Sequence, residues 1–298
     1  MRELDFNKEL VAIEQTIELP EYVLRPETLR ICGEALQEIN DRYGIESDSP
    51  RPYHWFPHSL DVIKREVRLT NILKEYMNPE DLFMIYDLLF MIGATHDIEQ
   101  NEAPGLNERM STDRGIELLS SCTDPILKSE LFISMYEEGG MVTEVEFGKD
   151  GRIEQPNLHK GSRAKSKFVA AFADINAIAM EGPERMILDA TNIYFELDKN
   201  PTISGYHDFL FSQIAFLRRR LNDWRITSDI SRYFPENTDE VYDALEENFH
   251  DNIVSAYDMA KKIPDTPGIN TELGYIIRKS TPFTAGRLAV ERLLPLAA

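Results

Sequence analysis

Met91-Ile-Gly-Ala-Thr-His96-Asp97-Ile98 ends the most apolar run of the chain, Leu82 to Ala94, which only Asp87 interrupts. The pattern predicts a buried helix whose last turns deliver an imidazole and a carboxylate side by side. Upstream, Tyr53-His54-Trp-Phe-Pro-His58-Ser-Leu-Asp61 opens a second helix. Pro57 suits a first turn, and Val62, Ile63, Val67, Leu69, Ile72 and Leu73 supply an apolar side. If the two helices pack antiparallel, the start of one meets the end of the other, and His58 joins His96 and Asp97. A second carboxylate, Asp174, lies in the apolar run Phe168 to Ala179, where an ionised group is costly unless paired or coordinated. A His, His-Asp, Asp set carried on helices suits a divalent metal with open positions for water and substrate.

Composition narrows the classes around this set. The 298 residues are 42% hydrophobic and 28% charged, enough for a buried core and against wholesale disorder. No run approaches the length of an apolar membrane span, and the acidic start Met1 to Glu9 does not read as a signal peptide, so a cytoplasmic protein is expected. A net charge of -20 argues against nonspecific nucleic-acid binding and against anionic membrane surfaces. It leaves room for a small phosphorylated ligand, because the local field at a metal can oppose the global one. Cys32 and Cys122 form neither a disulfide framework nor a thiolate zinc site and read as buried thiols.

Periodicity and punctuation predict an all-α chain of several helices with one small β-hairpin excursion near 141–155. Asn78-Pro-Glu-Asp81 reads as a helix start, and Pro125 begins a helix that Gly139-Gly140 stops. Gly148-Lys-Asp-Gly151 between Met141–Phe147 and Arg152–Glu154 is the hairpin signal. Ser162 reads as the cap of a helix running to about Met180. Three regions are expected: a helical N-terminal extension over 1–50, a core over 51–200 and a helical C-terminal extension over 201–298.

The arrangement resembles the HD superfamily of metal-dependent phosphohydrolases. Tyr53-His54-x-x-x-His58-x-x-Asp61-Val62 is similar to the opening motif of cyclic-nucleotide phosphodiesterases and their bacterial relatives. Asn107-Glu108-x-x-Ser111 follows the His-Asp pair, and Ala173-Asp174 closes the set. Of the His-Asp pairs at 96, 207 and 250, only the first ends an apolar helix. The resemblance implies an HD-domain bundle in which His58, His96, Asp97 and Asp174 hold one divalent ion (Mn, Mg, Fe, Ni or Zn). It implies hydrolysis of a small phosphorylated substrate, a nucleotide, phosphomonoester or phosphodiester, by metal-activated water. His54 would protonate the leaving oxygen.

Asp61, one turn after His58, reads either as a group that orients an imidazole or bridges to a weak second ion, or as a helix salt bridge. Asn107 and Glu108 enter through the resemblance. His159, Lys160, Arg163, Lys165 and Lys167 crowd a short stretch of an acidic chain. On one continuous helix, Arg163 and Lys167 share a stripe with Asp174, a physical route to a phosphate beside the ion. A solvated basic face is the other reading. His159 is the single histidine between Asp97 and Asp174. Binuclear family members take several from this interval, so a single-ion centre is expected. Two rivals stay open: a regulatory or scaffold module that binds a nucleotide or protein without turnover, and an HD-type diiron oxygenase, which the missing histidines count against. The resemblance also leaves a homodimer open.

Overall fold

Proline at helix starts and glycine between helices punctuate the chain much as the sequence suggests. The computed structural model describes residues 5–103, 105–144, 146–147, 153–223 and 228–297. In chain order the α-helices are α1 (Phe6–Glu14), α2 (Pro26–Tyr43), α3 (Phe56–Leu73), α4 (Pro79–Leu82), α5 (Ile85–Thr95), α6 (Leu106–Ser120) and α7 (Glu130–Gly140). They continue as α8 (Lys165–Ile175), α9 (Ala177–Glu181), α10 (Pro183–Leu197), α11 (Ile203–Asp223), α12 (Ser228–Tyr233), α13 (Thr238–Lys262), α14 (Ile269–Lys279) and α15 (Pro282–Ala297). Short 3-10 turns occupy Lys74–Tyr76, Met141–Thr143 and Ile263–Asp265. Among the described residues no helix is long and apolar enough to cross a membrane.

The chain is an all-α bundle, and the expected hairpin excursion over 141–155 is corrected. Met141–Thr143, read as strand, forms a 3-10 turn that extends α7. The only strand-like pairing among the described residues is the two-residue contact of Glu146–Phe147 with Ile153–Glu154, too short to constitute an element. The turn signal Gly148 to Gly151 lies outside the described residues. Local helical chemistry explains the outcome at 141–143: the Thr143 hydroxyl donates to the Gly140 carbonyl, closing one more turn after α7.

Two compact units interleave in sequence. The first comprises Met1–Arg42, His54–Ile175 and Ser228–Ala244; the second comprises Tyr43–Tyr53, Asn176–Thr227 and Leu245–Ala298. In the first, α3, α5 and α8 pack on one another, α6 and α7 pack against α5, and α12 lies on α8. Every residue of α5 is buried, so this helix is the centre of the unit. Each fully buried Leu, Ile, Phe or Met there contributes roughly 1.5–3 kcal/mol relative to exposure. In the second unit α10 packs against α11 and α15, around a core that includes Ile187, Ala190, Leu273, Ile276 and Ala289.

Two helix starts differ from the sequence reading. α7 begins at Glu130 with the Ser129 hydroxyl as its cap, while Asp124 caps the preceding turn by accepting from the amides of Ile126 and Leu127. The single helix expected from Ser162 to Met180 is instead α8 and α9, broken at Asn176. Residues 162–164 stay outside it: Gly161 at φ 66° turns the chain, and Ser162 donates to the Glu138 carboxylate rather than capping.

Candidate metal centre

Three helix ends converge in the first unit. Pro57 lies in the first turn of α3, placing His58 in that same turn. His96 caps the C-terminal end of α5, its backbone N–H donating to the Ile92 carbonyl at 2.9 Å, and Asp97 follows immediately. Asp174 sits next to the last residue of α8. The His58, His96 and Asp97 ligand atoms lie within 4.8 Å of one another, and all three residues are buried. His96 Nε2 and His58 Nε2 stand 3.1 and 3.5 Å from Asp97 Oδ2. Asp174 Oδ1 stands 3.4 Å from His58 Nε2 and 3.8 Å from His96 Nε2. Asp174 is thus a fourth donor against both imidazoles, although it falls outside the tightest group of three.

The donors are held from behind. The Nδ1–H of His96 donates to the Gly93 carbonyl at 3.0 Å, which leaves Nε2 as the nitrogen that faces the cluster and can ligate once its proton is lost. Gln100 Nε2 donates to Asp97 Oδ1 at 2.7 Å, turning Oδ2 toward the imidazoles. Arg65 Nε donates to the Ala173 carbonyl at 2.7 Å and ties α3 to the turn of α8 that carries Asp174. His96 Nε2 and Asp97 Oδ2 are buried and make no hydrogen bond, despite their 3.1 Å approach. Buried polar atoms without partners are rare, and two that point at each other beside further donors fit a cation between them.

Electrostatics agree with that fit. Burial pushes the His58 pKa down, so this imidazole is neutral, the form that ligates. Burial also pulls on His96, but the Asp97 carboxylate outweighs it and lifts the imidazole to about 9. Burial alone would raise both acids. The charge of His96 nevertheless holds Asp97 below the usual carboxylate range, and the contact with His58 does the same for Asp174. Two ionised carboxylates facing one imidazolium is the arrangement that a divalent ion would replace by displacing a proton. Below the cluster, Glu66 is fully buried and neither carboxyl oxygen has a hydrogen-bond partner; burial drives its pKa well up.

Other residues singled out in the sequence fall in different places. His54 is half-buried, its ring edge-on to His58 at 6.0 Å between centroids. Asp61 pairs with Lys64 at 2.9 Å. Asn107 is buried, and its side chain accepts from the Glu102 amide at 2.8 Å. Glu108 closes the start of α6 by accepting from the Gly105 amide at 2.6 Å. The phosphate stripe is not formed. Arg163 precedes α8 and is exposed, so the helical spacing to Lys167 and Asp174 does not apply to it. Lys167 is buried, with its ammonium given to the Lys160 carbonyl at 2.6 Å and to Glu138 at 3.4 Å. Lys165 pairs with Asp81 at 3.0 Å, so much of the basic cluster fastens the approach to α8. His207 and Asp208 lie 3.6 Å apart in the second unit with the aspartate exposed.

Gln100, Gly93, Arg65 and Glu66 escaped the sequence reading. Only Gly93 left a trace there, as a glycine inside an apolar helix: a Cβ at this position would lie 2.4 Å from Glu66 Oε2 and 2.8 Å from Ile63 Cγ1. A cleft of about 1030 Å³ borders α1, α2 and α6, away from the cluster, and its arginines Arg30, Arg42 and Arg114 are each paired with glutamates. No protein family, no curated protein and no solved structure matches the chain.

Proposed function

We propose that the protein is a metal-dependent phosphohydrolase of the HD type, acting on a small phosphorylated substrate. The reading rests above all on the two orphaned atoms, His96 Nε2 and Asp97 Oδ2, converging with His58 and Asp174 in a buried cluster. These donors come from the start of α3, the end of α5 and the end of α8, in the order that resembles the HD superfamily.

His58 and His96 would hold the ion through Nε2, and Asp97 and Asp174 through one oxygen each. A divalent cation there supplies positive charge that steadies phosphoryl oxygens and acidifies a water molecule. Two imidazoles and two carboxylates suit Mn²⁺, Fe²⁺, Ni²⁺ or Zn²⁺, with Mg²⁺ also compatible with the carboxylates. One ion is proposed, held by these four donors. His54, half-buried and edge-on to His58, would give a proton to the leaving oxygen. With Lys167 committed to carbonyl and Glu138 oxygens, phosphate recognition falls to the centre itself and to His54.

The test is hydrolysis of bis-p-nitrophenyl phosphate and of a phosphomonoester panel with added Mn²⁺, Mg²⁺ or Ni²⁺. His96→Ala and Asp174→Ala are assayed alongside. Turnover that needs an added or resident ion and disappears in both variants supports the reading. A folded wild type that binds metal but turns over no ester would move the function to the binding-module alternative.

A further inference from the structure

A chain of contacts reaches Asp97 from outside the ligand set. Gln100 Nε2 donates to Asp97 Oδ1 at 2.7 Å, so one carboxylate oxygen is occupied while Oδ2 faces His96 and His58. Gln100 does not sit on a regular element; it belongs to the loop between α5 and α6, and its position has to be fixed by other means. Glu99 provides this. Its Oε1 accepts from the amides of Gln100 and Asn101 at 3.1 and 3.0 Å, and its Oε2 pairs with Arg42 of α2 at 2.9 Å. Arg42 also donates to the Ile98 carbonyl at 3.3 Å, and the Glu99 amide donates to Ser111 of α6 at 2.9 Å. The loop is therefore held against α2 and α6 with the Gln100 amide directed at the carboxylate.

We propose that Gln100 is a positioning residue of the metal centre: it holds Asp97 by one oxygen, so that the other alone faces the ion. The proposal rests on the metal-centre reading above. A carboxylate free to rotate can chelate a cation through both oxygens or turn away from it; a fixed donor on Oδ1 removes both options and leaves coordination positions open for substrate. Glutamine suits this task because its amide carries a donor without a charge, so it satisfies Oδ1 without competing for the cation.

The experiment is Co²⁺ titration of ion-free wild type, Gln100→Met and Gln100→Glu, reading the dissociation constant, the visible ligand-field spectrum and the unfolding midpoint. Methionine keeps the length and removes the donor; glutamate places an acceptor against Asp97. The expected result is a loss of affinity of about 10- to 100-fold in Gln100→Met with an altered spectrum and an unchanged midpoint. A loss at least as large is expected in Gln100→Glu. Wild-type affinity and spectrum in a folded Gln100→Met would overturn the positioning role while leaving the metal centre intact. A wild type that binds no Co²⁺ would bring down the metal reading itself, and this proposal with it.

Discussion

At the scale of single residues, the centre is governed by His96 and Asp97. In the ion-free protein the Asp97 carboxylate lifts the His96 pKa to about 9, from an ordinary value near 6.5. A folded-state pKa above the unfolded one stabilises the fold at pH below about 6.5, and this contribution disappears as pH rises through 9. The same proton competes with metal. Divalent-ion affinity should therefore rise about tenfold per pH unit from neutral pH and level off near pH 9. Asp97→Asn should return the imidazole toward its ordinary value; NMR titration of the His96 ring in the ion-free state checks this. Gly93 makes the second prediction. A Cβ there meets Glu66 Oε2 and Ile63 at less than van der Waals distance, so Gly93→Ala should destabilise by about 1–3 kcal/mol in denaturant unfolding. It should also weaken metal binding, because the Gly93 carbonyl holds the His96 ring.

At the scale of elements, α5 is fixed at both ends. Asp87, which interrupts the most apolar run of the sequence, is fully buried near the start of α5. It accepts from Tyr22 Oη at 2.6 Å, the Arg25 amide at 3.0 Å and Thr28 Oγ1 at 2.5 Å, and pairs with the Arg25 guanidinium. The segment before α2 is thus docked on the helix that carries His96 and Asp97. Asp87→Ala would leave buried Thr28 and half-buried Tyr22 and Arg25 without their acceptor and should cost about 3–5 kcal/mol, with Asp87→Asn losing less; urea unfolding separates the two.

Legibility follows the same division. The meeting of His58 with His96 and Asp97, the Pro57 start of α3 and the burial of α5 were readable because each follows from local apolar spacing and punctuation. The phosphate stripe was not: helical spacing holds only inside a helix, and α8 starts at Lys165, beyond Arg163. What claims Lys167 is Glu138 on α7 and a carbonyl at residue 160, partners that the spacing within α8 does not reveal. The hairpin reading failed for a related reason, since the segment after Gly140 continues as a 3-10 turn once the Thr143 hydroxyl finds a carbonyl. Gln100 was invisible because a glutamine in a loop carries no pattern until Asp97 is beside it.

At the scale of the whole molecule, a chain of net charge -20 brings a buried donor set together within the first of its two units. That acidity would disfavour polyanionic partners at long range, while a divalent ion at the centre would reverse the sign locally for a small phosphate. Everything functional in this account therefore turns on whether the cluster holds an ion. The most direct measurement is the metal content of the purified protein after equilibration with Mn²⁺ and desalting, made on wild type, His96→Ala and Asp174→Ala under identical conditions. About one ion per folded wild-type chain is expected, and close to none in either variant. A folded wild type that retains no ion, or variants that retain as much as wild type, would contradict it.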